Sequence, residues 1–218
     1  MSRKKLNIKV PGYTLEEELF NSISHGLGAL LSIPALVLMV LRAHSVLAEV
    51  CVSLFGASMI VLYTVSCVYH SLSRNLEGKK VLRVIDHCNV YLLVFGTYIP
   101  VALLGVGGTL GWILFGITAF FSVLGITVTA INVDGTNKFQ VGCHLVNGWS
   151  IIAGVPRLLQ TIGTAGLFWL VCGGGLYSAG SVIYSLGAEK KFSHSVFHLF
   201  CIAGTFCHFW CVYRYLIG

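Results

Sequence analysis

Charged side chains are scarce in this sequence. Asp, Glu, Lys and Arg make up 10% of its 218 residues, whereas a soluble domain carries about 25%. Hydrophobic residues make up 56%, and the mean hydropathy is +0.84. This composition excludes an ordinary soluble domain and indicates an integral membrane protein.

Paired cysteine motifs, internal repeats and low-complexity tracts are missing. The eight cysteines occur singly, without a Cys-x-x-Cys pair, and nearly all lie in apolar runs. A cysteine in such a run behaves as a small hydrophobe. We therefore expect neither a disulfide framework nor a metal site built from thiolates.

Seven apolar runs divide the chain, with short loops between them. A membrane-spanning helix needs about 20 apolar residues, and each run approaches or exceeds that length. The runs are Asn21–Leu41, Val46–Leu72, Val81–Val106, Leu110–Asn132, Val141–Gln160, Thr164–Leu186 and Phe192–Ile217. We predict an all-α membrane protein, a seven-transmembrane helix bundle. Residues 21–218 would form this single domain, and residues 1–20 a cytoplasmic N-terminal segment.

Lys and Arg are distributed unequally between the two sides of this predicted bundle. If the N-terminus is inside, 11 of the 14 basic residues are inside. Cytoplasmic loops are enriched in Lys and Arg, so the bias predicts a cytoplasmic N-terminus and a C-terminus outside. The net charge of +6 is then explained by the orientation of the chain in the membrane and by contact with anionic lipid headgroups. Nucleic acid is therefore not an expected partner. The inside residues are Arg3, Lys4, Lys5, Lys9, Arg74, Lys79, Lys80, Arg83, Lys138, Lys190 and Lys191; the outside residues are Arg42, Arg157 and Arg214.

Three histidines and one aspartate fall at the predicted inner face. His70 lies near the end of the second run, Asp86 near the start of the third, and His194 and His198 near the start of the seventh. Ionisable groups at membrane depth are costly, so their grouping indicates a functional site. His194 and His198 are four residues apart and share a helix face, which suits two ligands of one metal. The alternative is a set of interhelical hydrogen bonds at the membrane edge.

Neutral imidazoles favour zinc among the common cellular metals, with iron and manganese as alternatives. Asp86 would orient and deprotonate a water at an open fourth zinc position; alternatively, it pairs with Arg83. Ser66 lies one turn before His70. Its hydroxyl would bond a substrate oxygen or that water, or else the carbonyl of Leu62.

A second polar group occurs at the start of the first run and consists of Glu18, Asn21 and His25. Asn21 and His25 are four residues apart and therefore neighbours on a helix surface. In one interpretation, this group supports the metal site and holds a ligand imidazole in the required tautomer. In the other, Asn21 is only the N-cap of the first helix.

Four motifs contain these residues, in an order that spans nearly the whole chain. They are Glu18-x-x-Asn21-x-x-x-His25-Gly26, Ser66-x-x-x-His70, Arg83-Val84-Ile85-Asp86-His87 followed by Gly96-Thr97-Tyr98-Ile99-Pro100, and His194-x-x-x-His198-Leu199-Phe200. Together they resemble the hemolysin III group of the progestin and adipoQ receptor family, within the superfamily that includes the alkaline ceramidases. The short N-terminal segment is more similar to the bacterial branch than to the animal receptors.

The resemblance implies a seven-helix fold with a cytoplasmic N-terminus in a bacterial plasma membrane. It implies a zinc ion held by His70, His194 and His198, with Asp86 at the zinc-bound water and Ser66 beside it. It also implies a membrane lipid as partner, with a ceramide-like amide as the substrate to be hydrolysed.

Three functions are open at this point. The first is a zinc-dependent lipid amide hydrolase. The second is a pore-forming hemolysin, the activity for which the hemolysin III branch is named, although the runs show no continuous polar stripe to line a pore. The third is a receptor-like sensor of membrane state with a structural zinc, although the outside segments are too short to bind a large protein ligand. An open fourth metal position would favour the enzyme over the sensor.

Overall fold

The chain folds into long helices in the computed structural model, which describes residues 7–135, 137–187 and 190–217. No strand occurs within those ranges. The helices are α1 (Leu15–Arg42), α2 (Val46–Ser71), α3 (Glu77–Pro100), α4 (Gly108–Ile131), α5 (Asn137–Trp149), α6 (Val155–Leu186) and α7 (Ser193–Cys211). Short π-helical segments extend α3 over Val101–Val106 and α7 over Val212–Leu216, and a 3-10 segment, Ser150–Gly154, joins α5 to α6.

Helix α1 begins six residues before the predicted run because Thr14 caps it. The Thr14 hydroxyl accepts a hydrogen bond from the Glu17 N–H at 3.3 Å, and the Thr14 N–H donates to the Glu17 carboxylate at 2.8 Å. This reciprocal pair is a capping box. The interpretation of Asn21 as an N-cap is therefore wrong, since Asn21 lies in the second turn. The predicted boundary at residue 20 falls inside α1.

Within the part of the chain that the structure describes, six helical segments are long and apolar enough to cross a membrane, judged by length and composition. One of them, Phe139–Leu186, has 48 residues. A straight helix of that length would measure about 72 Å, more than twice the roughly 30 Å of a bilayer's hydrocarbon core. This segment therefore covers the fifth and sixth predicted runs together.

The chain folds back within Phe139–Leu186. The Trp149 indole N–H donates to the Ser178 hydroxyl at 2.9 Å across 29 positions, a contact that a straight helix cannot make. Between them, Gly163 has φ 64° and ψ −176°, outside the helical region. Glycine tolerates this positive φ at little cost, and Gly163 lies between the ends of the two predicted runs.

Large apolar side chains cover the outside of the bundle as well as its core. Phe55 and Leu158 are fully buried, whereas Leu30, Phe120 and Val123 are exposed. An apolar outer surface is expected of a protein surrounded by lipid tails. All eight cysteines are free thiols.

One end of the bundle gathers the N-terminal segment and three connections between helices. The Lys9 N–H donates to Asp134, in the α4–α5 connection, at 3.0 Å. Arg74, in the α2–α3 connection, donates to the Val10 carbonyl at 3.2 Å. The Phe192 N–H, just before α7, donates to the first turn of α1. We call this end the N-terminal end.

The opposite end carries the α1–α2 connection and the end of the chain. The Arg42 guanidinium lies 4.8 Å from the centre of the Tyr213 ring. The Thr161 hydroxyl donates to the Gly105 carbonyl at 2.7 Å, so the fold-back near Gly163 also lies at this end.

Candidate metal centre

Three imidazoles converge at the N-terminal end of the bundle. The Nε2 atom of His194 lies 3.3 Å from Nε2 of His70 and 3.1 Å from Nε2 of His198. One nitrogen of each ring lies within 4.8 Å of the others. His70 and His198 are buried and His194 is half-buried. We call these three residues the histidine cluster.

The cluster is assembled from two helix ends. His70 is in the last turn of α2, and His194 and His198 occupy successive turns at the start of α7. Phe192 precedes α7 with a left-handed φ of 58°, and its N–H donates to the Glu17 carboxylate at 2.7 Å. This bond fixes the start of α7 against α1.

A buried ion pair orients His70. Nδ1 of His70 donates to a Glu18 carboxylate oxygen at 2.7 Å, and the other oxygen accepts from the Lys79 ammonium at 2.5 Å. Lys79 is almost fully buried and also donates to the Leu72 carbonyl at 2.8 Å. Because Nδ1–H is committed to Glu18, Nε2 of His70 carries a lone pair directed at the other histidines.

The geometry of the cluster fits a tetrahedral metal ion. With metal–nitrogen bonds of about 2.0–2.1 Å, neighbouring ligand nitrogens in a tetrahedral site lie about 3.3 Å apart. The two short nitrogen–nitrogen separations match that spacing. Lone pairs that face one another at this distance repel unless a cation or proton lies between them. Three neutral nitrogen donors suit zinc, copper, iron or nickel better than magnesium or calcium.

Asp86 and Ser66 lie beside the cluster on the same cavity wall. The Ser66 hydroxyl lies near the Asp86 carboxylate. Arg83 instead pairs with Asp134, its Nη1 atom lying 2.6 Å from a carboxylate oxygen. Among the described residues, the alternative pairing of Asp86 with Arg83 is therefore not formed, and the Asp86 carboxylate faces the cavity.

Asn21 and His25 lie against His198. The His25 ring stacks on the His198 ring with centroids 3.5 Å apart and planes 8° apart. Asn21 and His25 are buried, and neither side chain has a hydrogen-bond partner among the described residues. Since the two rings are parallel, the nitrogen lone pairs of His25 lie in a plane parallel to the His198 ring. They therefore do not point at the position that Nε2 of His198 faces.

The N-terminal segment covers the cluster at the N-terminal end of the bundle. The Tyr13 ring stacks on His194, with centroids 5.1 Å and planes 15° apart, and lies 5.9 Å from the His70 ring. Burial raises the pKa of the Tyr13 hydroxyl. The segment is fastened by the Lys9–Asp134 and Arg74–Val10 hydrogen bonds. We call residues 7–14 the strap.

The carboxylate that fastens the strap stays ionised in mild acid. Burial acts to raise the pKa of Asp134, but hydrogen bonds from the Lys9 N–H and Arg83 outweigh it and hold that pKa below its usual value. Because the pKa of Asp134 is lower in the folded protein than in the unfolded chain, its contact with the strap is fully formed at pH values above the unfolded-state pKa. The contact is lost only as the pH falls through the folded-state pKa.

A cavity of about 140 Å³ opens from the histidine cluster into the bundle interior. Its polar end contains His25, Ser66, Asp86, His194 and His198. Farther along, its wall is mainly apolar and includes Leu93, Val101, Ile151, Val155, Leu170 and Cys201. The cavity is therefore a mainly apolar pocket with a cluster of ionisable groups at one end.

Several residues around the site had no signal in the sequence. Tyr13 lies outside the apolar runs, and Lys79 resembles one more basic residue in a loop. Their roles depend on how the chain ends and connections pack. The sequence pointed to this region through the polar group of Glu18, Asn21 and His25 at the start of the first run.

Comparisons with known proteins identify the family to which this chain is similar. Residues 13–209 match the family model described as Haemolysin-III related. Hemolysin-3 of Bacillus cereus is 34% identical over 206 residues, covering 93% of this chain and 93% of that protein. The Hemolysin-3 homolog of Bacillus subtilis (strain 168) is 36% identical over 208 residues, covering 94% and 97%. The Adiponectin receptor protein of Drosophila melanogaster is 23% identical over 193 residues, covering 71% and 40%.

These matches confirm the resemblance drawn from the four motifs. The family match includes every residue of the histidine cluster and of its surroundings from Tyr13 onward. The chain is a multi-pass membrane protein that belongs to the haemolysin-III-related family.

Proposed function

We propose that this protein is a zinc-dependent hydrolase of membrane lipids that cleaves an amide, or an ester, within the bilayer. The observation that carries this proposal is the convergence of three Nε2 atoms at the polar end of an apolar cavity, beside Asp86 and Ser66. Such a pocket suits a lipid whose hydrocarbon chain lies in the cavity and whose carbonyl lies at the histidines.

His70, His194 and His198 would hold the zinc ion. Bound zinc supplies Lewis acidity toward a carbonyl oxygen and activates water as a nucleophile. Asp86 accepts the proton of the attacking water, and Ser66 donates a hydrogen bond to the oxygen that gains negative charge. Glu18 keeps the His70 lone pair pointing inward, and the apolar cavity wall excludes bulk water.

We further propose that the chain crosses the membrane seven times, with its N-terminus in the cytoplasm and its C-terminus outside. The fold-back at Gly163 supports counting Phe139–Leu186 as two spans. The location of the strap and of Tyr213 at opposite ends supports an odd number of crossings. The bacterial Hemolysin-3 relatives support a plasma-membrane location. The site would then face the cytoplasmic leaflet.

The deciding experiment combines metal analysis with lipid hydrolysis for the wild type, His194→Ala and Asp86→Ala. We expect bound zinc in the wild type, its loss in His194→Ala and its retention in Asp86→Ala, with hydrolysis of a ceramide or a related lipid lost in both variants. Wild-type protein that holds zinc but cleaves no lipid amide or ester would contradict the proposal and favour a structural zinc in a receptor-like sensor.

A lytic, pore-forming function is a second candidate because the two bacterial relatives carry the name hemolysin. Dye release from liposomes tests it, with His70→Ala as the informative variant. Leakage that is equal in wild type and His70→Ala would establish lysis independent of the histidine cluster. No leakage from wild-type proteoliposomes would leave the hydrolase as the sole candidate of the two.

A further inference from the structure

His208 lies far along the cavity from the histidine cluster. It is on α7, ten positions after His198, which corresponds to about 15 Å along the helix axis. It lines the same cavity and is 8% exposed. A histidine in this apolar region needs a reason, because burying its polar atoms unpaired is costly.

One His208 nitrogen is satisfied and the other is not. Nε2 lies 3.1 Å from the Leu170 carbonyl oxygen. Because a carbonyl can only accept, Nε2 carries the hydrogen, and Nδ1 of the neutral ring is an acceptor. Nδ1 is buried and has no partner among the described residues.

The satisfied edge of the ring faces α6. Gly173 leaves room for it, since a Cβ atom there would lie 2.3 Å from Cδ2 and 2.4 Å from Nε2 of His208. The edge that carries Nδ1 is therefore on the side away from Gly173. His208 lines the cavity, so a ligand that fills the cavity lies beside this ring.

Three other polar side chains that line the cavity already have hydrogen-bond partners. The Tyr177 hydroxyl pairs with Thr205 at 2.5 Å. The Tyr98 hydroxyl lies 2.7 Å from the Ser150 hydroxyl, and the Thr97 hydroxyl donates to a backbone carbonyl. His208 differs from these three side chains because its Nδ1 has no hydrogen-bond partner among the described residues.

We propose that Nδ1 of His208 accepts a hydrogen bond from a hydroxyl group on the hydrocarbon chain of the bound lipid. The inference rests on the proposed function because it assumes a bound lipid whose carbonyl lies at the histidine cluster. A hydroxyl about 15 Å from that carbonyl lies roughly a dozen carbons along an acyl chain. The cavity therefore selects mid-chain hydroxylated acyl groups over plain ones.

The test measures binding and does not require turnover. Octadecanoic acid and octadecanoic acid hydroxylated at carbon twelve compete with a fluorescent fatty acid for the purified full-length protein in detergent. We expect the hydroxylated chain to bind about tenfold more tightly, the size of one buried hydrogen bond. A chain hydroxylated at carbon two serves as a positional control and should bind no better than the plain chain.

Two substitutions locate the effect. His208→Leu should abolish the preference, so that the plain chain and the chain hydroxylated at carbon twelve bind equally. Tyr177→Phe should keep the preference because that hydroxyl is already bonded to Thr205. Equal binding of all three chains by the wild type would overturn the inference even if His208→Leu fails to fold. A preference that survives in His208→Leu, or no binding of any chain, would overturn it too.

The binding result is separate from the fate of the proposed function. Preference for the carbon-twelve hydroxyl in a protein that hydrolyses no lipid would reject the hydrolase and retain the His208 subsite. Hydrolysis of plain and hydroxylated lipids at equal rates and with equal affinity would retain the hydrolase and reject the subsite.

Discussion

Glu18 is the residue on which the geometry of His70 depends. Its carboxylate fixes the His70 tautomer and neutralises the buried Lys79 at the same time. Loss of such a supporting hydrogen bond typically weakens metal binding about tenfold to hundredfold. We expect Glu18→Ala to lower zinc affinity by that amount, measured by competition with a chelator of known affinity.

Glu16 provides the matched control for this measurement. It is an exposed acid on the same first turn of α1, so Glu16→Ala changes the same charge without touching the histidine cluster. Its zinc affinity should equal that of the wild type. If Glu18→Ala also binds zinc like the wild type, the His70 tautomer does not depend on Glu18.

At the level of single residues, the sequence predicted the parts of the site that follow helical geometry. The spacing of His194 and His198 placed them on one face, and the charge count placed His70 and Asp86 at the same end. Tyr13 and Lys79 could not be predicted in this way. Their contacts depend on the path of the strap and the α2–α3 connection, which leave no periodic pattern in the sequence.

The packing of α3 against α4 depends on the absence of a side chain at Gly125. A Cβ atom there would lie 2.1 Å from the fully buried ring of Tyr91. Overpacking of this kind costs about 1–3 kcal/mol, so Gly125→Ala should lower the thermal unfolding midpoint in detergent. Gly116→Ala on the same helix meets no atom within 4 Å and should leave the midpoint unchanged or raise it slightly. Equal midpoints would show that the helices separate easily.

The strap is the element most readily opened without unfolding the bundle. Asp134→Ala removes the acceptor for the Lys9 N–H. Loss of a contact that contributes about 1 kcal/mol raises the population of molecules with an open strap roughly fivefold. Diethylpyrocarbonate, which acylates accessible imidazoles, should then label His194 about fivefold faster at neutral pH. Mass spectrometry of metal-free protein measures the labelling at that residue.

Asp134→Asn is the graded comparison for the strap. Its amide oxygen can still accept from the Lys9 N–H, but the charge attraction to Arg83 is lost, so labelling should fall between wild type and Asp134→Ala. Because the Asp134 pKa is lowered, wild-type labelling should not accelerate through opening between neutral pH and about pH 5. Identical labelling in all three proteins would mean that the strap does not limit access to His194.

On the scale of the whole molecule, hydropathy predicted the helical membrane fold and separated the fifth and sixth runs at residues 161–163, where the structure has one long helical segment. Phe139–Leu186 is helical almost throughout, and only the backbone at Gly163 and the Trp149–Ser178 contact show where it folds back. The cavity was beyond prediction, because its wall combines residues from helices far apart along the chain.

The locations of the two chain ends provide the final prediction. Seven crossings place the N- and C-termini on opposite sides of the membrane, whereas six would place them on the same side. A C-terminal alkaline phosphatase fusion of the full chain, active only outside the cytoplasm, should be active, and an N-terminal fusion should be inactive. Fluorescent-protein fusions, which mature in the cytoplasm, should give the opposite pattern. If the fusions at both termini report a cytoplasmic location, Phe139–Leu186 crosses the membrane once. The assignment of Lys and Arg residues to the two sides must then be revised for the last helix.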